Sequence, residues 1–199
     1  MKGLVGLTGT PGTGKKTIAP LVAASLGIPR IGLNDFATSS GLASPRKESE
    51  VDPRTLGRSF LRQVRGSTLV YGHLLPYAFA HGAFQMVIVL RCEPGVLKRR
   101  LQRRRYSTGK VKANLEAELI GVIASDCYSV FGEGVVAEYN TTGKNPRRAA
   151  KDVASLILAK HGGRRHDWTV RYDSARKLTS LLSDPRRATA RTRKCPTKG

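Results

Sequence analysis

Residues 9–17 read Gly-Thr-Pro-Gly-Thr-Gly-Lys-Lys-Thr and fit the pattern G-x-x-x-x-G-K, with Gly9, Gly14 and Lys15 at its fixed positions. A short apolar run, residues 3–8, precedes this stretch, and a helical apolar pattern follows from Thr17. Glycines let the backbone curl until several N–H groups face one phosphate, and the following helix adds its positive end. The stretch therefore predicts a phosphate-binding loop between a first strand and a first helix.

We expect this loop to hold the phosphates of a nucleotide, although a merely glycine-rich turn is the alternative. Lys15 is placed to reach the outer phosphates. The Ser or Thr that usually follows this lysine and binds Mg²⁺ is replaced by Lys16, so Thr17 is the hydroxyl left for the metal. The amides predicted to contact phosphate are those of Gly12, Gly14, Lys15, Lys16 and Thr17.

Composition restricts the partners of the chain. Its 199 residues include 35 Lys and Arg against 14 Asp and Glu, a net charge of +21, so it should attract polyanions such as nucleotides or nucleic acid. No apolar run is long enough for a membrane span, and no secretory leader is recognisable. The three cysteines are odd in number and widely spaced, which argues against a disulfide framework or zinc site. We expect a cytoplasmic protein.

Strand-like and helix-like segments alternate along residues 1–161. This alternation predicts an α/β three-layer sandwich of the P-loop NTPase type, with a five-stranded parallel sheet. Segments 43–51 and 105–109 are expected to be loops. The predicted strands are 3–8, 30–33, 68–71, 85–90 and 135–139; the predicted helices are 17–26, a weak one from Asn34, 53–65 capped by Asp52, 95–104, 111–131 and 146–160.

Residues 162–199 are expected to form a basic extension after the Gly162-Gly163 pair. One amphipathic helix is predicted over 168–182, and the final stretch, 184–199, has the composition of a disordered segment. This tail could contact rRNA or an acidic partner surface, or it could only increase solubility.

The loop resembles that of adenylate kinases, which also lack Ser or Thr directly after the lysine. The whole chain is more specifically similar to the ribosome-associated adenylate kinase family of archaea and eukaryotes (CINAP-like proteins). The resemblance spans about residues 3–160 and leaves the tail outside. Besides the loop, the matching segments are 70–73, 87–91, 96–106, 114–118 and 143–146.

The resemblance implies a nucleoside monophosphate kinase that converts ATP and AMP to two ADP with the help of Mg²⁺. It also implies ATPase activity, a part in small ribosomal subunit and rRNA maturation, and binding to a small-subunit ribosomal protein of the uS11 type. A monophosphate-binding segment is expected at about 31–52, and a mobile lid over ATP at about 103–113.

Several residue roles follow from the same resemblance. Lys15, His73 and Arg104 would be catalytic, with Arg104 at the start of the lid; Asn145 would lie beside the adenine. Asp35, with Thr17, would serve the metal or substrate. The alternatives are a solvated charge for Arg104, a helix cap for Asn145 or Asp35, and a core or loop role for His73.

The chain departs from the family where Tyr71 stands in place of an acid two residues before His73. Loss of that acid is expected to reduce turnover more than nucleotide affinity. A ribosome-assembly ATPase, or a nucleotide-dependent RNA-binding protein with little kinase turnover, is therefore the alternative function. The other basic residues in and just after the predicted helix 95–104 are expected to be mostly solvated: Lys98, Arg99, Arg100, Arg103 and Arg105.

Overall fold

The computed structural model describes residues 3–43, 51–160 and 165–183. Five parallel strands form one sheet in the order β2-β3-β1-β4-β5, which confirms the predicted α/β architecture. Parallel strands covered on both faces are expected to be apolar throughout, and the three central strands are almost entirely buried. The strands are β1 (Leu4–Thr8), β2 (Arg30–Gly32), β3 (Thr68–Tyr71), β4 (Phe84–Arg91) and β5 (Val136–Asn140).

Helices cover both faces of the sheet. The core on one face joins the sheet to α1 and α8, and the core on the other joins it to α2, α3, α4 and α7. A third cluster joins α5, α6 and α9 beyond the sheet. The helices are α1 (Lys15–Leu26), α2 (Leu33–Ser39), α3 (Pro53–Gln63), α4 (Leu75–Ala78), α5 (Pro94–Arg103), α6 (Thr108–Ile120), α7 (Val122–Phe131), α8 (Pro146–Ala159) and α9 (Ala175–Leu182).

Alternation along β4 shows how the sequence separates the two cores. Val87 and Val89 pack into one core, whereas Ile88 and Leu90 pack into the other, because successive strand side chains point to opposite faces. The first core also contains a chain of edge-to-face aromatic contacts, with ring centroids 4.9–5.5 Å apart. Its members are Phe36, Phe60, Phe79, Phe84 and Phe131.

The helix predicted over 111–131 is in fact two helices. Gly121 has a left-handed φ of +71° and ends α6 before α7 begins. A Cβ there would lie 3.3 Å from both terminal nitrogens of Arg91, so glycine suits both the backbone and the space. The predicted loop at 105–109 is also shorter than expected, because Ser107 caps α6 by accepting from the N–H of Lys110.

The predicted helix over 168–182 is divided as well. A 3-10 turn (Thr169–Tyr172) precedes α9, and Ser174 caps α9 by accepting from the N–H of Lys177. Leu181 is buried in the cluster that contains Leu97 and Leu101 of α5, so this segment packs on the α/β body. The short helix α4 was not predicted. The prediction for 184–199, and most of that for 43–51, lies outside the described residues.

Two further sequence expectations concern cysteines and membranes. Cys92 and Cys127 are buried free thiols, and Cys195 lies outside the described residues. None of the helices in the described part of the chain has both the length and the apolar character that a membrane crossing requires.

Gly57 offers a test of how closely α3 approaches α4. A Cβ at Gly57 would lie 1.7 Å from the carbonyl oxygen of Ala78, so Gly57→Ala must push the two helices apart. Overpacking of this kind costs about 1–3 kcal/mol, despite the better helix propensity of alanine. We expect a lower melting temperature by circular dichroism. The matched control is Gly109→Ala in α6, where a Cβ would meet nothing within 4 Å, and an equal loss there would contradict the explanation.

Candidate nucleotide-binding site

The phosphate loop leaves the carboxyl end of β1 and enters α1, the edge of a parallel sheet where ligands bind. Gly9, Gly12 and Gly14 all have left-handed φ values. A Cβ on Gly9 would lie 2.3 Å from the carbonyl oxygen of Leu90, and one on Gly12 would lie 2.6 Å from Leu97. No side chain of the described residues caps α1. The N–H of Thr17 donates to the carbonyl oxygen of Gly14 at 3.0 Å, so the first-turn N–H groups left for a ligand are those of Lys15 and Lys16.

Lys15 folds back onto this loop. Its Nζ donates to the carbonyl oxygens of Gly9 and, at 3.1 Å, of Thr10. Burial lowers the pKa of Lys15 to about 7; the nearby Glu118 carboxylate raises it and Arg104 lowers it further. An anionic phosphate would favour the charged ammonium group, and the two carbonyls hold the side chain beside the loop until such a ligand arrives.

A cavity of about 310 Å³ opens beside the loop, within the size range of small-molecule sites. Three segments beside the loop and α1 surround it: the end of α5, the turn after β5 and the start of α8. Four cations lie along its wall and make it suitable for a polyanion. The lining residues are Gly12, Thr13, Gly14, Thr17, Ile18, Arg100, Arg103, Arg104, Thr141, Lys144, Pro146 and Ala149.

Arg100 corrects the expectation of a solvated charge. Its guanidinium donates to the carbonyl oxygen of Gly12 at 3.4 Å and to that of Thr141 at 3.3 Å. Lys98 also differs from the prediction, because it donates to the carbonyl oxygens of Ser180 and Ser183. Arg100 follows Leu97 by one helical turn and so shares a face with this apolar residue, but no local pattern in the sequence indicates its carbonyl partners.

Arg104 lines the cavity directly after α5. The segment expected to act as a lid, 103–113, is a short turn followed by the start of α6: Arg105 has a left-handed φ of +57°, and α6 begins at Thr108. Lys16 is exposed in the first turn of α1.

Asn145 serves as the N-cap of α8, since its Oδ1 accepts from the N–H of Arg147 at 2.9 Å. Its neighbours Lys144 and Pro146 line the cavity, whereas Asn145 is absent from the lining. The structure therefore shows a hydrogen bond for Asn145 as a helix cap, one of the two roles expected for it, the other being a place beside the adenine.

Asp35, Tyr71 and His73 lie on the other side of the loop, at the carboxyl ends of β2 and β3. In the sheet, Tyr71 is paired with Gly32 of β2 and with Leu7 of β1, which brings these ends together. The Tyr71 hydroxyl donates to Oδ2 of Asp35 at 3.4 Å. Burial raises the pKa of Tyr71, and the Asp35 carboxylate raises it further, so the phenol stays a donor.

The carboxylate of Asp35, on α2, therefore stands at this edge beside Tyr71 of β3. Among the described residues, no group of three or more His, Cys, Asp or Glu could enclose a metal ion. A divalent cation would have to take most of its ligands from phosphate and water, as Mg²⁺ commonly does. Thr17 and Asp35 are the protein oxygens that suit this arrangement.

Glu118 was missed as a site residue, although its side chain is only 1% exposed. It accepts from the Thr10 hydroxyl at 2.5 Å, from Arg91 Nε at 2.9 Å and from the N–H of Cys92 at 2.9 Å. These bonds tie the phosphate loop to β4 and α6. An acid between Leu115 and Leu119, on the apolar face of a helix, was the signal that could have identified it.

Comparisons with known proteins identify the family to which this chain belongs. The sequence profile of a family described as "AAA domain" matches residues 5–121. A protein of Thermococcus kodakarensis, provisionally designated an adenylate kinase, is 36% identical over 176 residues, which cover 85% of this chain and 95% of its own. A protein of Pyrococcus furiosus with the same provisional designation is 34% identical over 179 residues, covering 85% and 93%.

Solved structures support the fold alone, because their sequence identity is low. Shikimate kinase from Acinetobacter baumannii superposes with a TM-score of 0.56 at 19% identity, covering 79% of this chain and 93% of that one. A gluconokinase from Sinorhizobium meliloti gives a TM-score of 0.53 at 16% identity, covering 79% and 92%.

The matches also correct the expected extent of the family resemblance. A relative from Thermococcus onnurineus aligns with 91% of this chain at 32% identity. An alignment of that length cannot end at residue 160, so it includes part of the C-terminal segment that was expected to lie outside.

The lowered pKa of Lys15 predicts how phosphate binding depends on pH. Between pH 7 and 9 the free chain must take up a proton on Lys15 to bind ATP, so affinity should fall by up to about tenfold per pH unit. Calorimetry in buffers of different ionisation enthalpy would measure this uptake. Lys15→Arg, which keeps its charge, should bind without the uptake. An unmodified chain whose affinity is constant over this range would contradict the prediction.

Proposed function

Because the chain belongs to the family of the archaeal proteins provisionally designated adenylate kinases, we propose that it is a nucleoside monophosphate kinase. It transfers the γ-phosphoryl group of ATP to AMP and yields two molecules of ADP. The observation that carries the proposal is the cationic cavity beside the phosphate loop, which Arg100 and Arg104 line, with Lys15 close enough for Arg104 to lower its pKa. Phosphoryl transfer requires this concentration of positive charge more than it requires covalent chemistry.

In this proposal, ATP lies along the cavity with its adenosine toward the turn of Lys144 and Pro146. The backbone amides of Gly12, Gly14, Lys15 and Lys16 bind the β- and γ-phosphates, and the Lys15 side chain leaves its carbonyl partners to bind them too. Thr17 and Asp35 would hold Mg²⁺, which supplies charge neutralisation to the phosphates.

AMP approaches from the side of β2 and β3, where Asp35 and His73 stand and where the segment 31–52 begins. An oxygen of its phosphate attacks the γ-phosphorus as the bond to the β-phosphate oxygen breaks, and ADP leaves. Arg104 and Arg100 stabilise the charge on the transferring group, and His73 orients the acceptor or a water molecule.

A second function, an ATPase that assists small-subunit and rRNA maturation, is favoured by two observations. The net charge of +21 suits rRNA, and Tyr71 replaces the acid that would support rapid turnover. Exposed cations lie on α5, just after it and at the start of α8, among them Arg99, Arg105 and Arg147. We propose a small-subunit ribosomal protein of the uS11 type as the protein partner, on the family resemblance, and rRNA as a further one.

The kinase proposal is tested by coupled assay of ADP formation with ATP alone and then with AMP added. Turnover should rise steeply with AMP, and Lys15→Ala should reduce it by about a hundredfold or more, because the lysine stabilises the transferring group. The matched control is Lys151→Ala, an exposed lysine of α8 away from the cavity, which should retain full activity.

Two outcomes of the same assay separate the alternatives. Phosphate release that is independent of AMP but increases with the ribosomal protein would favour the assembly ATPase over the kinase. Failure of AMP or any other monophosphate to raise ADP formation would contradict the kinase proposal.

Asp35 gives a second test, because it supplies the carboxylate that β3 lacks. Asp35→Asn keeps a hydrogen-bond acceptor for Tyr71 but removes the charge, so kcat should fall by about tenfold or more while KM for ATP changes little. Higher Mg²⁺ should recover part of the loss. The control is Glu116→Gln, which removes an exposed carboxylate from α6 and should have no effect. An unchanged kcat in Asp35→Asn would show that this carboxylate has no part in transfer.

A further inference from the structure

The C-terminal segment of residues 165–183 does more than pack on the surface of the protein. Trp168 is buried, and its indole Nε1 donates to Oε1 of Glu118 at 3.3 Å. Arg91 donates to the carbonyl oxygen of His166 at 3.0 Å, and the N–H of His166 donates to Glu138 at 3.1 Å. The segment thus hydrogen-bonds to all three members of a buried charged cluster, Arg91, Glu118 and Glu138.

The cluster continues from Glu118 to the phosphate loop. One carboxylate oxygen of Glu118 faces Trp168, and the other accepts from the Thr10 hydroxyl at 2.5 Å. The carbonyl oxygen of Thr10 in turn accepts from Nζ of Lys15 at 3.1 Å and from the Thr13 hydroxyl at 2.9 Å. Four residues therefore form a continuous path from the C-terminal segment to the phosphate-binding lysine.

On this geometry we propose that Trp168 is a positioning residue for the nucleotide site, which acts through Glu118 to hold Thr10 and the phosphate loop in their binding shape. The inference rests on the proposed function, since it assigns the C-terminal segment to the same nucleotide site. Trp168 itself touches no nucleotide.

The physical reason is the geometry of a buried carboxylate. Hydrogen bonds are strong in such surroundings, and the position of an acceptor depends on all of its donors. Removing the indole N–H leaves Oε1 of Glu118 with two donors: Nε of Arg91, the last residue of β4, and the N–H of Cys92, which follows it. The carboxylate then shifts toward those donors, and the Thr10 hydroxyl on its other oxygen loses its fixed partner.

The test is a double-mutant cycle on ADP binding, measured by calorimetry in the full chain. Trp168→Phe keeps an aromatic ring but removes the N–H, and Thr10→Val removes the hydroxyl at nearly constant volume. Each single variant should weaken ADP binding by about threefold to tenfold. Both changes break the same path. The double variant should therefore bind ADP at most about twofold less tightly than whichever single variant has the lower affinity.

Controls distinguish positioning from a general loss of structure. Tyr172→Phe removes the hydroxyl with which the same segment donates to Glu93 and accepts from the N–H of Gly95. Neither contact leads to Glu118, so ADP binding should stay within about twofold. Thermal unfolding establishes that each variant is folded at the assay temperature. Trp168 is the single tryptophan of the chain, so its fluorescence should change when the unmodified protein is titrated with ADP, and Thr10→Val should remove that change.

Failure of this inference can be told apart from failure of the proposed function. If the unmodified chain binds no ADP, both are overturned. If it binds ADP but Trp168→Phe binds equally well, or the two substitutions are additive, the positioning role alone is overturned. The same holds if Tyr172→Phe is as damaging as Trp168→Phe, or if the tryptophan fluorescence does not respond to ADP.

Discussion

The buried carboxylate of Glu118 is the constraint on which the arrangement of this protein depends. Its donors come from three separate parts of the chain: Thr10 of the phosphate loop, the end of β4 with Arg91 and the N–H of Cys92, and Trp168 of the C-terminal segment. A carboxylate in such surroundings requires these donors, because an unpaired buried charge costs several kcal/mol. The sheet, α6 and the C-terminal segment are therefore all held in one relative position around the loop.

Charge then determines what the loop can do. Lys15 sits near Glu118 and among other cations, and burial brings its pKa close to neutrality. Arg100 and Arg104 add fixed positive charge to the same cavity, one against the loop and the other at the end of α5. The site is therefore complementary to a highly charged anion, and a triphosphate can restore the charge of the lysine that binds it.

Local patterns in the sequence were enough for the fold and for the centre of the site. The loop at residues 9–17 and the alternation of apolar runs predict the parallel sheet, because each pattern reflects one local conformation. The helix break at Gly121 was missed, since the apolar stripe continues across it and only the nearby Arg91 and the left-handed backbone reveal it. Helix α4, a single turn, is too short to show a period.

Contacts between distant segments explain the remaining differences. The hydrogen bonds of Arg100, of Lys98 and of Trp168 join residues more than 40 positions apart, so no local pattern encodes them. The partnership of Tyr71 with Asp35 likewise depends on the pairing of β2 with β3. In each case the side chain has the right chemistry in the sequence, and only the tertiary structure provides its partner.

Calorimetric titration of the unmodified chain with ATP in the presence of Mg²⁺ tests the central claim most directly. The account predicts saturable binding of one nucleotide per chain, lost when Lys15 is replaced by alanine. A well-folded protein that releases no heat with ATP or ADP, or that binds equally well without Lys15, would contradict it.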